Sequence, residues 1–101
     1  MTLKEADHQA LARLSALAHE VRLQIMQHLM ASYPESVAAG ELSSMLDVPP
    51  NAASFHLKEM TSAGLIESER DGRFILYRAV PSVVEELRLF LGSLQASMPV
   101  R

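Results

Sequence analysis

At residues 65–80 the spacing of hydrophobic side chains changes from that of a helix to that of a strand. The runs 65–70 and 73–78 both alternate, and the pair Asp71-Gly72 lies between them. An Asp-Gly pair favours a tight hairpin, because these residues tolerate the positive φ angles that such a turn requires. The sequence therefore predicts one β-hairpin in a chain whose other periodic segments have helical spacing.

Five helices are predicted around this hairpin. Four precede it, at residues 3–17, from residue 21 to the Tyr33-Pro34 pair, at 39–46, and from near Asn51 to about residue 62. Proline ends the second helix, the segment 47–50 forces a turn after the third, and Asn51 is the expected cap of the fourth. Pro81 is expected to begin the last helix. The fold class is mainly α with a β-hairpin wing, in the order ααααββα.

The apolar positions of the middle helices indicate which sides are buried. We expect Ala53, Leu57 and Met60 to form the inner face of the fourth helix, because they recur at helical spacing. The third helix has Leu42, Met45 and Leu46 on one side. The methionines at such positions are expected to be core residues and not metal ligands, because thioethers alone bind metals weakly.

Two short helices joined by a tight turn and followed by a hairpin are typical of a winged helix-turn-helix. In that arrangement the second helix of the pair enters the major groove of DNA, and the hairpin reaches the neighbouring backbone. The sequence thus predicts a protein that binds double-stranded DNA.

Composition limits the alternatives. The 101 residues fit one compact domain, residues 1–101, with no separate effector domain. Cysteine is absent, which excludes disulfides, thiolate metal sites and thiol redox switches. No apolar run approaches the ~20 residues of a membrane span, and Glu5 and Asp7 stand where a secretory signal would be basic. We therefore expect a cytoplasmic protein.

The net charge of −3 does not favour binding to nucleic acid, but the charges are unevenly distributed. Residues 1–50 contain three basic and six acidic side chains, whereas residues 51–78 contain four of each. The basic residues of that second segment are Lys58, Arg70, Arg73 and Arg78. The excess of acid thus lies mainly outside the predicted DNA-binding region.

Two segments resemble the ArsR/SmtB family of transcriptional repressors, and the likeness extends over residues 10–94. LAHEVRLQIMQHL, at 17–29, is similar to the second helix of that family. NAASFHLKEMTSAGLIESERDGRFILYRAV, at 51–80, is similar to its recognition helix, Gly-Leu joint and wing. The resemblance implies a symmetric dimer, joined through the first and last helices, that binds a palindromic operator and leaves it when an inducer arrives.

The sequence departs from this family at its metal-sensing positions. Ala38-Ala39-Gly40 precedes Glu41 where metal-sensing members have Cys-x-Cys, and the last helix lacks the His and Asp ligands of the other zinc site. His8, His19 and His28 have no spacing that assembles a site, because the latter two are expected on opposed faces of one helix. No metal and no cofactor are predicted.

Candidate DNA-binding residues lie on the fourth helix and the hairpin. Asn51, Ser54, Phe55 and Lys58 face away from the predicted buried side, where the first turns of a recognition helix meet bases and phosphates. Phe55 has two open roles, contact with a thymine methyl or local packing. His56 is expected mainly to anchor the helix, with approach to a phosphate as the alternative. The full set is Asn51, Ala52, Ser54, Phe55, His56, Lys58, Arg70 and Arg73, in which the two arginines would place charge near the DNA backbone or minor groove.

The last helix has apolar residues at heptad spacing, which favours a homodimer in which it packs beside helix one. Purely internal packing is the alternative. The candidate interface residues are Leu3, Ala10, Leu14, Leu87, Phe90, Leu91 and Leu94.

The same sequence features bear on two other classes of function. A winged-helix module that binds a protein partner, with weak or no DNA binding, would suit the acidic balance and Phe55. An enzyme is not expected, because Glu67 and Glu69 alternate on the outer face of a strand and no Ser-His-Asp set or phosphate-binding glycine loop is present. The sequence does not distinguish between a small-molecule effector and a protein effector.

Overall fold

A computed structural model describes residues 1–100 of the chain, which contain five helices and three strands. Their bounds, in chain order, are α1 Glu5–Leu17, α2 Glu20–Ser32, β1 Val37–Ala38, α3 Ala39–Leu46, α4 Pro50–Ser62, β2 Ile66–Asp71, β3 Phe74–Ala79 and α5 Pro81–Ala96. The predicted helices and hairpin are confirmed in their predicted order. Strand β1 was not predicted.

Strand β1 adds a third strand to the hairpin. It pairs antiparallel with β3, with Val37 opposite Tyr77 and Ala38 opposite Leu76, so that the sheet order is β1-β3-β2. A strand of two residues is too short to produce an alternating pattern, and its pairing depends on a partner about 40 positions further along the chain. The sequence therefore carried no local signal for it.

The start of α4 corrects the predicted cap. Asn51 does not cap the helix, because the helix already begins at Pro50 and Pro49 occupies the cap position. Proline suits the first helical position, since its φ angle is already helical and the missing N–H would have no partner there. Asn51 is consequently an exposed residue of the first turn.

The hairpin turn lies one residue later than predicted. Asp71 pairs with Phe74, so Gly72 and Arg73 form the two-residue turn and Asp71 ends β2. Gly72 has a φ of 62°. Arg73 is not among the residues with positive φ. Positive φ at the first turn position alone indicates a type II′ turn, whose twist matches that of the strands. Arg73 thus lies in the turn itself.

The core lies where α2, α3, α4 and the start of the hairpin meet. The predicted inner face of α4 is confirmed, since Ala53, Leu57 and Met60 are all buried. The prediction for α3 is wrong at Met45, which is 45% exposed. The buried side of α3 runs through Leu42 and Ser43, and Met45 is rotated away from it. The fully buried large side chains are Ile25, Leu29, Leu42, Leu57, Met60, Leu65 and Ile66.

Helix α5 belongs to the core only in its first half. Val83 and Leu87 are buried, whereas Leu91 and Leu94 are 50% and 56% exposed although they continue the same apolar stripe. The described residues form an elongated body of 56 × 24 × 22 Å. Within residues 1–100, no helix combines the length and the apolar character needed to cross a membrane.

Truncation of a central core residue tests this packing. Leu29 of α2 has no exposed surface, so Leu29→Ala removes buried methyl groups and leaves a cavity. We expect the free energy of unfolding to fall by about 2–5 kcal/mol, measured by urea denaturation. Leu11→Ala is the control, because Leu11 is 49% exposed and should cost much less. Equal losses for both variants would contradict the placement of the core.

Candidate nucleic-acid interface

The turn between α3 and α4 sets the direction of α4. Asp47, directly after α3, adopts a left-handed φ of 52°, which Asp tolerates better than most residues. The Ser43 hydroxyl donates a hydrogen bond of 2.7 Å to the Val48 carbonyl and closes the turn. Pro49 then occupies the cap position of α4, which begins at Pro50. Two helices joined in this way form a helix-turn-helix, in which α4 is the second helix.

One side of α4 is buried and the opposite side is open. Asn51, Ser54, Phe55 and Lys58 are exposed, and their spacing places them along one stripe of the helix. Ala52 lies at the edge of this stripe and is partly buried. The exposed stripe presents an amide, a hydroxyl, an aromatic ring and an ammonium group, which together can contact base edges and phosphates.

His56 is held from α2. Its Nδ1 accepts a hydrogen bond of 3.1 Å from Nε of Arg22, and Arg22 also donates to the Ala16 carbonyl of α1 at 3.3 Å. Arg22 therefore links α1, α2 and α4 through one guanidinium. His19, the cap residue of α2, lies beside His56 with its ring centroid 4.5 Å away. We call Arg22, His19, Phe55 and His56 the α2–α4 cluster.

The same guanidinium also orders Phe55. Its Cζ lies 5.7 Å from the centroid of the Phe55 ring, within the range of a cation–π contact. Phe55 and His56 meet edge to face at 5.9 Å. The ring nevertheless remains 56% exposed. Phe55 thus packs locally on one side while its other side is open to a partner.

His56 is neutral in this arrangement. An Nδ1 atom that accepts a hydrogen bond carries no proton, so the ring proton lies on Nε2. Burial, followed by the nearby charges of His19 and Arg22, lowers the pKa of His56 below its ordinary value of 6.5. A proton on Nδ1 would replace the hydrogen bond from Arg22 by repulsion between two cations.

Arg70 and Arg73 are exposed at the distal end of the hairpin, Arg70 near the end of β2 and Arg73 in the turn. Among residues 1–100, no hydrogen bond or ion pair joins either arginine to α4. The structure therefore brings the α4 residues together on one stripe, and it places the two arginines on a separate element.

Three arginines of the described residues are paired with carboxylates. Arg78 forms an ion pair with Glu67 at 2.8 Å, Arg88 pairs with Glu85 at 2.6 Å, and Arg13 pairs with Glu86. In the described part of the chain, Lys58, Arg70 and Arg73 take part in no ion pair. Unpaired cations on α4 and the hairpin are what phosphate contacts require.

Sequence reasoning missed Arg22 and His19 as parts of this site. Both lie in the segment 17–29 that carried the family resemblance, so the signal was present without its structural meaning. His19 was expected on one face of the same helix as His28, but it lies at the cap of α2, where Nδ1 accepts from the Val21 backbone N–H at 3.1 Å. Within residues 1–100, no three His, Asp or Glu side chains are grouped so that they could hold a metal ion.

Comparisons with known proteins agree with the fold. The profile of a helix-turn-helix domain matches residues 17–69. The chain is 37% identical over 90 residues to the HTH-type transcriptional regulator YgaV of Escherichia coli, covering 85% of this chain and 89% of that protein. It is 42% identical over 65 residues to the HTH-type transcriptional repressor SmtB of Mycobacterium tuberculosis, covering 64% and 46%. An ArsR-like transcriptional regulator from Rhodococcus sp. RHA1 superposes with a TM-score of 0.80 at 27% identity, covering 92% of this chain and 85% of that one.

The fold and these likenesses define a winged helix-turn-helix regulator of transcription that binds DNA. Within that class, the chain belongs to the ArsR/SmtB family. The expectation that it is not an enzyme is confirmed, because the relatives are transcriptional regulators.

The lowered pKa of His56 predicts a pH dependence of stability. Below pH 6.5 the unfolded chain takes up a proton on His56 while the folded chain still resists it, so the free energy of unfolding falls as the pH falls. The loss ends once the pH is below the lowered folded pKa. Urea denaturation between pH 8 and pH 5 measures it.

His56→Asn should remove this part of the pH dependence, because Asn does not titrate in that range. His8→Asn is the control, since it replaces an exposed histidine of α1 and leaves His56 in place. An identical loss of stability in wild type and His56→Asn would show that another group is responsible.

Proposed function

We propose that the chain is a homodimeric repressor that blocks transcription by occupying a palindromic operator and leaves it in response to a signal. The observation that carries this proposal is the exposed stripe of α4, which stands on a buried helix face and is accompanied by the unpaired cations Lys58, Arg70 and Arg73. A helix presented in this way fits the major groove.

On DNA, Asn51 and Ser54 contact base edges or phosphates from the first turns of α4, and Lys58 contacts a phosphate. Phe55 presents its open side to a thymine methyl. His56 acts from behind this stripe by anchoring α4 through Arg22. Arg70 and Arg73 carry positive charge to the backbone or the minor groove beside the recognition helix.

The exposed second half of α5 supports the dimer. Phe90, Leu91 and Leu94 continue the apolar stripe of α5. The protomer itself covers this stripe only in part, since Leu91 is 50% exposed and Leu94 is 56% exposed. An apolar helix face of this kind is stabilised when a second copy covers it. Leu3, just before α1, is 54% exposed, and Leu14 of α1 is partly buried; both are candidate interface residues.

Two of the candidate interface residues act from beneath this surface. Ala10 and Leu87 are only 5% and 7% exposed, so their packing is within their own protomer. Their role in the dimer is to hold α1 and α5 side by side. In a symmetric dimer the two α4 helices meet successive major grooves about 34 Å apart, which is why the operator is palindromic.

The DNA-binding residues are tested by the double variant Ser54→Ala/Lys58→Ala. In a fluorescence-anisotropy titration against DNA from upstream of the chain's own gene, we expect at least a ~10-fold loss of affinity and a smaller dependence on salt, because a phosphate contact is lost. The matched control is Ser62→Ala/Lys4→Ala, which removes the same chemical groups at the far end of α4 and before α1.

Equal affinity of the double variant and the wild type would contradict the proposed binding face. If the wild type binds this DNA no more tightly than it binds random DNA, the result would favour the protein-interaction module instead.

The dimer is tested by Leu94→Glu, which places a charge in the exposed apolar stripe of α5. Sedimentation at micromolar concentration should show a shift from dimer to monomer, because a buried carboxylate without a partner is costly. Met45→Glu is the control, since Met45 is a 45% exposed apolar residue on α3. A dimer that survives Leu94→Glu unchanged would place the interface elsewhere.

A further inference from the structure

A groove of about 600 Å³ lies between α1, α2 and α5, away from the proposed DNA-binding face. Its walls include Leu14 and Leu17 of α1, Leu23, Met26 and Met30 of α2, and Leu91 of α5. Leu14 and Leu91 are also candidate interface residues, so the groove borders the proposed dimer interface. This volume is within the range of about 300–1,000 Å³ that small-molecule sites occupy. The groove is therefore large enough for a small organic molecule.

The chemistry of the lining narrows the class of ligand. Arg88 is its one charged side chain, and both Nε and a terminal nitrogen of that guanidinium are bonded to Glu85, at 2.9 and 2.6 Å. Gln27 is the one uncharged polar side chain of the lining. Among the described residues, the groove thus presents apolar surface, no unpaired charge and a single amide for a hydrogen bond.

The groove is connected to the recognition helix at two places. Leu23 in its wall is the chain neighbour of Arg22, which bonds to His56 of α4. Leu65, also in the wall, donates from its backbone N–H to the Met60 carbonyl in the last turn of α4 at 3.0 Å. The Leu65 carbonyl accepts from Val80, the cap residue of α5, at 3.0 Å. These contacts connect the groove wall to α4 through α2 and through Leu65.

We infer that this groove is the effector site of the chain, and that it takes a neutral, largely apolar small molecule with one hydrogen-bonding group that reaches Gln27. Filling the groove separates α2 from α5, moves the attachments of α4 and lowers the affinity for DNA. The ligand acts by binding the released arrangement more tightly than the DNA-bound one. This inference rests on the proposed function for its consequence, but not for the binding itself.

Binding is tested on the full chain without DNA, with two fluorescent probes that share one scaffold. N-phenyl-1-naphthylamine is neutral and has one N–H group, and 8-anilinonaphthalene-1-sulfonate adds a sulfonate to it. We expect saturable binding of one neutral probe per chain, at least about tenfold tighter than the sulfonate, because no free cation is available for the anion. Preference for the sulfonate would overturn the proposed ligand class.

The location is tested by Leu23→Glu, which puts a charge at a groove residue that is 46% exposed and so leaves the core intact. This variant should lower the affinity for the neutral probe at least about tenfold, because the carboxylate would lose its hydration when the probe binds. Leu11→Glu is the matched control, a 49% exposed leucine on α1 outside the groove, and should bind as the wild type does. Thermal melting checks that both variants fold.

The consequence is tested by DNA titration with and without saturating neutral probe. We expect the probe to weaken operator binding by at least about fivefold in wild type and Leu11→Glu, and to have no effect on Leu23→Glu. Probe binding that leaves the DNA affinity unchanged would overturn the effector role. No saturable probe binding, together with a weaker dimer for Leu23→Glu, would show that a second copy covers the groove.

The two proposals fail in different ways. If neither the wild type nor any variant binds DNA, but the neutral probe still binds as described, the proposed function is wrong and the groove is still a small-molecule site. If DNA binds and the probe does not, only the effector site is wrong.

Discussion

The burial of one face of α4 is the constraint on which the rest of the molecule depends. Leu57 and Met60 have no exposed surface, and together they fix the rotation of the helix about its axis. With 3.6 residues per turn, that rotation leaves Ser54, Phe55 and Lys58 on the outer side. The outer side chains, which we propose contact DNA, are thus selected by the packing of the buried residues on the opposite face.

Arg22 adds a polar restraint to this apolar one. Hydrophobic contacts are non-directional, whereas a guanidinium that bonds both Ala16 and His56 fixes a particular geometry among three helices. The contact is partly buried, where a hydrogen bond is stronger than in water. The combination fixes the orientation of α4 and also attaches it to α1 and α2 through Arg22.

Charge is arranged so that an acidic protein can still meet DNA. The chain carries a net charge of −3, but much of its positive charge outside α4 and the turn is bound to carboxylates, as in Arg78–Glu67 and Arg88–Glu85. Exposed pairs of this kind contribute little stability. They occupy Arg78 and Arg88, whereas Lys58 and the two exposed hairpin arginines, Arg70 and Arg73, have no carboxylate partner among the described residues.

The sequence by itself determined the elements, because proline, glycine and the spacing of apolar residues act locally. α3 at Ala39–Leu46, the end of α4 at Ser62 and the start of α5 at Pro81 all lie where the sequence predicts them. Only the tertiary structure decided features that join distant parts of the chain. The pairing of Asp71 with Phe74 moved the turn to Gly72-Arg73, and β1 exists through its pairing with β3.

The candidate site divides in the same way. The outer residues of α4 followed from helical spacing, whereas the bond between Arg22 and His56 spans 34 positions and the groove needs three helices to form its walls. Periodicity specifies which side of an element is apolar, but not which other element covers it. The partners of Arg22, the exposure of Met45 and the groove were therefore decided by packing, since each depends on where whole helices come to lie.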